Sequence, residues 1–104
     1  APNWAINFMK EVPTTWDETV YIDGYPGKYS VIARRHQNQW YVAGINAEKT
    51  IKKLKINLPM FAGKTLKFIN DDAHGNSAQK EVKVNAKGDF NVEVQPNGGF
   101  VLKN

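Results

Sequence analysis

"YSVIARRHQNQWYVAGIN", residues 29–46, decides the fold class. The runs Tyr29 to Arg35 and Gln39 to Asn46 are rich in β-branched and aromatic residues, and "HQNQ" between them is short enough to close a hairpin. Together they read as a central antiparallel pair. Successive strand residues face opposite sides of a sheet, so one of the adjacent Trp40 and Tyr41 fills a core and the other faces outward.

The same period of two continues on both sides of this hairpin. Before it, Trp16 to Asp23 reads as a strand closed by the turn "DGYPG" at 23–27, whose Gly and Pro supply the φ values that turns require. After it, Leu54, Ile56 and Leu58 alternate with Lys53, Lys55 and Asn57, predicting a fourth strand with one dry face. Thr65 to Asn70 gives a fifth, and Glu81 to Asn85, with Val82 and Val84 inward, a sixth. "AKGD" at 86–89 turns the chain into Phe90, Val92 and Val94 of a seventh, and "PNGG" at 96–99 leads into an eighth at Phe100 to Leu102. Eight short strands with a turn signal about every ten residues predict an all-β fold, an antiparallel two-sheet sandwich or a barrel. The irregular stretch "NDDAHGNSAQK" at 70–80 is expected to be the most mobile segment.

Upstream, Trp4, Ala5, Phe8 and Met9 have helical spacing, with Asn3 as a candidate N-cap, and Val12-Pro13 ends the run. Two turns are marginal in water, so the segment is expected to dock on this domain or on a neighbour. The first residue is Ala, and Ala1 to Asn3 lead directly into Trp4, which suggests a piece of a longer polypeptide.

One domain suits 104 residues. The chain has no Cys, which excludes disulfides, thiol nucleophiles and Cys-based metal sites. No apolar run approaches the roughly 20 residues that span a bilayer, so no membrane partner is expected. The net charge of +4 comes from twelve Lys and two Arg, Arg34 and Arg35, a balance that suits solvation more than phosphate recognition. Without a nucleic-acid motif, no nucleic-acid partner is expected.

Candidate chemistry is sparse. Asp17 and Glu18 on an extended segment would point to opposite faces and could not flank one glycosidic bond. Asp71 and Asp72 have no aromatic wall to raise a carboxyl pKa. Asn70, Asp71, Asp72 and Asn76 could offer hard oxygen ligands, but their spacing is not that of an EF-hand, and loop solvation is the better account. His36 and His74 lack a third zinc ligand, and Thr14, Thr15, Ser30 and Ser77 sit in no nucleophile motif. Lys53 and Lys55 read as the solvent face of a strand, where Lys discourages edge aggregation. Trp16, Trp40, Tyr21, Tyr25, Tyr29 and Tyr41 could form a sugar-stacking platform, although core packing and a domain interface account for them better.

The stretch "FMKEVPTTWDETVYIDGYPGKYSVIARRHQNQWYVAGIN" at 8–46, "LPMFAGKTLKFINDD" and the closing "VEVQPNGGFVL" resemble the C-terminal domain of glycoside hydrolase family 97, bacterial α-glycosidases. The resemblance covers nearly the whole chain and is most specific in "VPTTWDET", "IARR" and "WYVAGIN". It implies a β-sandwich that follows an N-terminal sandwich and a catalytic (β/α)₈ barrel, in a parent of α-glucosidase or α-galactosidase type that is periplasmic or secreted. It implies no catalytic residue and no cofactor here, because the family's catalytic carboxylates and calcium ligands belong to the other two domains and no position of this chain matches them. It further implies that residues 1–12 end the barrel's last helix and that 13–104 form the sandwich. Trp4, Phe8, Pro13, Trp16, Asp17 and Glu18 are then the candidate domain-interface residues, with Trp16 buried near the junction and the two acids bonded to backbone or to Arg34 and Arg35. The implied partners are the barrel of the same polypeptide and a homo-oligomer. The first rival reading is a carbohydrate-binding module that uses exposed Trp and Tyr, and the second is a basic domain that binds nucleic acid through a continuous Lys/Arg face.

Overall fold

In a computed structural model of the chain, residues 15–72 and 74–104 are described. The expectations for the helical segment 1–12 and for Trp4, Phe8 and Pro13 lie outside the described residues. Eight strands follow in order: β1 Glu18–Tyr25, β2 Tyr29–His36, β3 Gln39–Asn46, β4 Lys52–Asn57, β5 Thr65–Asp71, β6 Ser77–Lys83, β7 Asp89–Val94 and β8 Gly99–Lys103. A single 3-10 turn, Pro59–Phe61, lies between β4 and β5. Six strands form one antiparallel sheet in the order β1-β2-β3-β8-β5-β6, and β4 pairs with β7 in a second.

The two sheets meet through the alternating residues that the sequence marked as apolar. Val31, Ala33, Val42, Leu66, Phe68, Phe100 and Leu102 face inward from the large sheet, and Leu54, Ile56, Val92 and Val94 from the small one. Leu58 and Phe61, on the connection between β4 and β5, complete this core, and both are fully enclosed. The burial of these side chains is the main driving term of such a sandwich, at about 25 cal/mol for each Å² of apolar surface removed from water.

Asn46 ties the sheets together at the point where the chain leaves β3. It is 1% exposed. Its Nδ2 donates to the carbonyls of Thr50, Val94 and Gln95 at 2.8, 3.2 and 3.2 Å, and its Oδ1 accepts from Glu48 N at 3.0 Å.

Three expectations need correction. The first strand starts at Glu18 and runs to Tyr25, so Asp23 and Gly24 belong to the strand and the turn is confined to 26–28. The register between β1 and β2 slips between Tyr21 and Asp23, and this bulge absorbs residues that composition assigns to a turn. The sixth strand occupies Ser77–Lys83 rather than Glu81 to Asn85. Val84 is buried beyond its end, and Val82 only partly. The stretch at 70–80 is largely ladder, since Asp71 pairs with Ser77 and only a short turn separates them. Its exposed, charged residues suit a sheet edge, and that polarity is what concealed the strand.

Candidate functional site

Of the candidate domain-interface residues, Asp17 and Glu18 come together around Arg35. Asp17 N donates to the Arg35 carbonyl at 2.8 Å, which opens the β1–β2 ladder. Gln37 has a φ of 55° in the β2–β3 turn, and its N–H donates to Asp17 Oδ2 at 2.6 Å. Arg35 Nε donates to Glu18 Oε1 at 3.3 Å, and its Nη1 lies 3.9 Å from Asp17 Oδ2 and donates to the Gln37 carbonyl at 2.8 Å. Both acids therefore converge on one guanidinium. The opposite-face argument applies to extended backbone, and Asp17 lies in a bend before β1 begins. Arg34 is not their partner; it lies over the Trp16 ring at 5.8 Å.

Trp16 is half-buried and stands edge-on to Tyr41, with ring centroids 5.5 Å apart. Together with Ala43 and Ile69 these rings pack around Val101, which is 4% exposed. Ala43 and Ile69 are the two register partners of Val101, so this second cluster lies on the outer face of the six-stranded sheet, across from the main core. His36 Nδ1 donates to the Thr15 carbonyl at 3.0 Å and fixes the chain's approach. Exposed ion pairs of this kind are worth under about 1 kcal/mol each, so the ring packing is the stronger tether.

The candidate aromatics do not form one platform. Trp40 and Tyr29 turn inward against the main core, whereas Tyr41 faces outward, as the alternation at 40–41 requires. Partial burial raises the Tyr29 phenol above its ordinary value of 10.0, as does the neighbouring Asp23 carboxylate, to which it donates at 3.3 Å. Tyr21 and Tyr25 are exposed at the far end of β1, where they line a shallow groove of about 280 Å³ with Pro26, Ser30 and Ile45. Sequence reasoning missed Ile45. The signal was available in the alternation Tyr41, Ala43, Ile45, which places an isoleucine on the solvent side.

Both carboxylates of the oxygen-rich stretch accept from backbone N–H groups, Asp71 from β8 and Asp72 from its own turn. Asp71 is 4% exposed and its Oδ2 accepts from Gly99 N at 2.6 Å. Asp72 Oδ1 accepts from His74 N and Asn76 N at 2.8 and 3.0 Å. Among the described residues no group of three His, Cys, Asp or Glu side chains is placed to hold a metal ion, and no helix is long and apolar enough to cross a membrane.

Residues 15–103 match the family model described as glycosyl-hydrolase 97 C-terminal, oligomerisation. A retaining α-galactosidase of Bacteroides thetaiotaomicron is 31% identical over 103 residues, covering 92% of this chain and 15% of that relative. The crystal structure of a β-arabinopyranosidase superposes with a TM-score of 0.89 at 47% identity, over 100% of this chain and 17% of that one. A glycoside hydrolase family 97 enzyme from Pseudoalteromonas sp. strain K8, solved with acarbose, has a TM-score of 0.73 over 97% of this chain and 18% of that one. At 21% identity this last match is a likeness of fold alone. The chain thus spans less than a fifth of the length of each of these proteins.

Proposed function

The chain belongs to the glycosyl-hydrolase 97 C-terminal family, and from that membership we propose that it is a non-catalytic accessory domain packed on the catalytic barrel of a glycoside hydrolase. The observation that carries this reading is the family match over 15–103 in a chain that spans a small share of its relatives. The domain acts on catalysis indirectly, by holding the scaffold on which the catalytic groups sit, and it contributes an oligomer surface.

The parent is a secreted or periplasmic enzyme, and its substrate class follows from two relatives. L-arabinopyranose has the ring configuration of D-galactopyranose and lacks only its hydroxymethyl group. A galactosidase and an arabinopyranosidase with this domain therefore support a parent that cleaves galacto-configured pyranosides. Calcium, where used, is held by the other domains.

In this reading the Trp16 cluster is the junction, with Asp17 and Glu18 fixing its entry through Arg35. Trp16→Ala in the parent enzyme should lower the melting temperature of this domain and speed proteolytic release of it from the barrel. Truncating a fully buried aromatic costs roughly 3–5 kcal/mol, and a half-buried ring should cost about half of that. Unchanged melting and unchanged release would remove Trp16 from the junction.

A further inference from the structure

We infer that the β1–β3 corner carrying Tyr21, Tyr25 and Ile45 is the surface through which two copies of this domain associate. The inference rests on the oligomerisation part of the function proposed above and assigns it a face.

The outer face of the large sheet has two ends. At one end the chain enters through Thr15 and Trp16. At the other, Tyr21 and Ile45 stand on this outer face, 64% and 51% exposed, and Tyr25, the register partner of the inward-turned Tyr29, stands 59% exposed at the rim of the corner. β1 is eight residues long, so at the usual strand rise its far end lies about 23 Å from Glu18. A barrel attached through the N-terminal end would leave this corner free for a second copy.

The corner has the shape that self-association requires. Register places Gly24 beside Ser30 and Ser30 beside Ile45 across the outer face, so one large side chain stands next to two small residues. Tyr21 leans over Gly24, where an added Cβ would strike its hydroxyl, and so walls the notch on the other side. Ile45 is the knob and the groove above Ser30 is the hole. In a two-fold interface the same patch serves both partners, and a patch that carries its own knob and hole can satisfy that condition with each Ile45 entering the other copy's groove. Tyr and aliphatic anchors at the centre with a charged rim are the usual composition of such contacts, and Lys28, lying over the Tyr25 ring at 5.1 Å, supplies the rim. Ile45, Pro26 and Ala47 along the groove suit a protein surface better than a sugar.

The test is sedimentation of the 104-residue chain over a range of concentrations, repeated with the parent enzyme. Ile45→Asp removes the knob, Ser30→Trp fills the hole, and Ile51→Asp, at a side chain 49% exposed that does not line the groove, is the control. Circular dichroism checks that each variant folds, and exposure makes Ile45→Asp safe where Ser30→Trp is not. The expected result is reversible dimerisation, weakened about tenfold or more by Ile45→Asp and unaffected by Ile51→Asp. A dimer that forms with folded Ile45→Asp at wild-type strength overturns this face and leaves the oligomerisation reading in place. Absence of association in both the chain and the parent overturns both. Saturable shifts at Tyr21 and Tyr25 on adding galactosides, without dimerisation, would reassign the corner to sugar.

Discussion

Gly44→Ala is expected to cost about 3 kcal/mol of folding stability, far more than one methyl group suggests. Gly44 sits in β3 directly opposite Phe100 in β8, and the Phe100 ring lies on its bare backbone. A Cβ added there would come within 2.6 Å of Phe100 Cζ and 2.8 Å of Cδ1. The ring has no retreat. It is 1% exposed and stacks on Phe68 with centroids 5.9 Å apart, and Phe68 in turn packs on Phe90 at 6.0 Å. Phe100→Leu should restore room, so the double variant should be more stable than the sum of the two single losses. Urea unfolding followed by tryptophan fluorescence measures all three. A Gly44→Ala loss below about 1 kcal/mol would show that the ring moves freely and that this packing is not what closes the core.

Asn46→Ala should cost about as much, by a different mechanism. Its side chain answers three carbonyls and one N–H where β3, β4 and β7 meet; an alanine removes all four bonds, and of the carbonyls Gln95 still accepts from Gly98 N. Each unsatisfied buried group costs roughly 1–3 kcal/mol, softened where water can enter. Asn46→Asp is the sharper probe because it keeps the shape and turns an oxygen toward the carbonyls. Its loss should equal or exceed that of alanine at neutral pH. Burial among carbonyls raises the pKa of the introduced carboxyl above its unfolded value. The penalty should therefore be smallest in acid and grow as pH rises through the unfolded carboxyl range toward the folded pKa. Chemical denaturation at several pH values checks this, and an Asn46→Asp variant as stable as wild type at neutral pH would mean that the three bonds carry little weight.

What sequence reading reached and what it missed have physical causes. β2, β3, β4, β5 and β7 were legible because Val, Ile, Phe and Leu recur at every second position and bury one face, a pattern set by the pleat itself, and β8 because its apolar run Phe100 to Leu102 is buried on both faces. β6 was hidden because an edge strand is solvated and carries charge, so its Ser, Gln, Lys and Glu read as loop. β1 was misplaced at both ends. Trp16 and Asp17 look extended but precede the strand, Asp17 in a bend held by Arg35 and Gln37, and Asp23-Gly24 look like a turn but continue the strand past a bulge. Long-range register is invisible to local pattern, and for that reason neither the pairing of Gly44 with Phe100 nor the three-carbonyl role of Asn46 could be read from the chain. For the site, Trp16, Asp17 and Glu18 were named through the resemblance, and of the partners expected for the acids the structure shows Arg35 and backbone but not Arg34. Ile45 was overlooked because a single aliphatic on an outer face becomes meaningful only when its neighbours prove to be Ser and Gly.

The measurement that bears most directly on a non-catalytic accessory role is a titration of the isotope-labelled chain with α-galactosides and β-L-arabinopyranosides. Backbone amide shifts would be followed in a two-dimensional spectrum, and the same samples assayed for released sugar. The scaffold reading expects a dispersed β spectrum, no saturable shifts at millimolar sugar and no hydrolysis. Saturable shifts clustered at Tyr21, Tyr25 or Trp16, or any release of sugar by the purified chain, would contradict it.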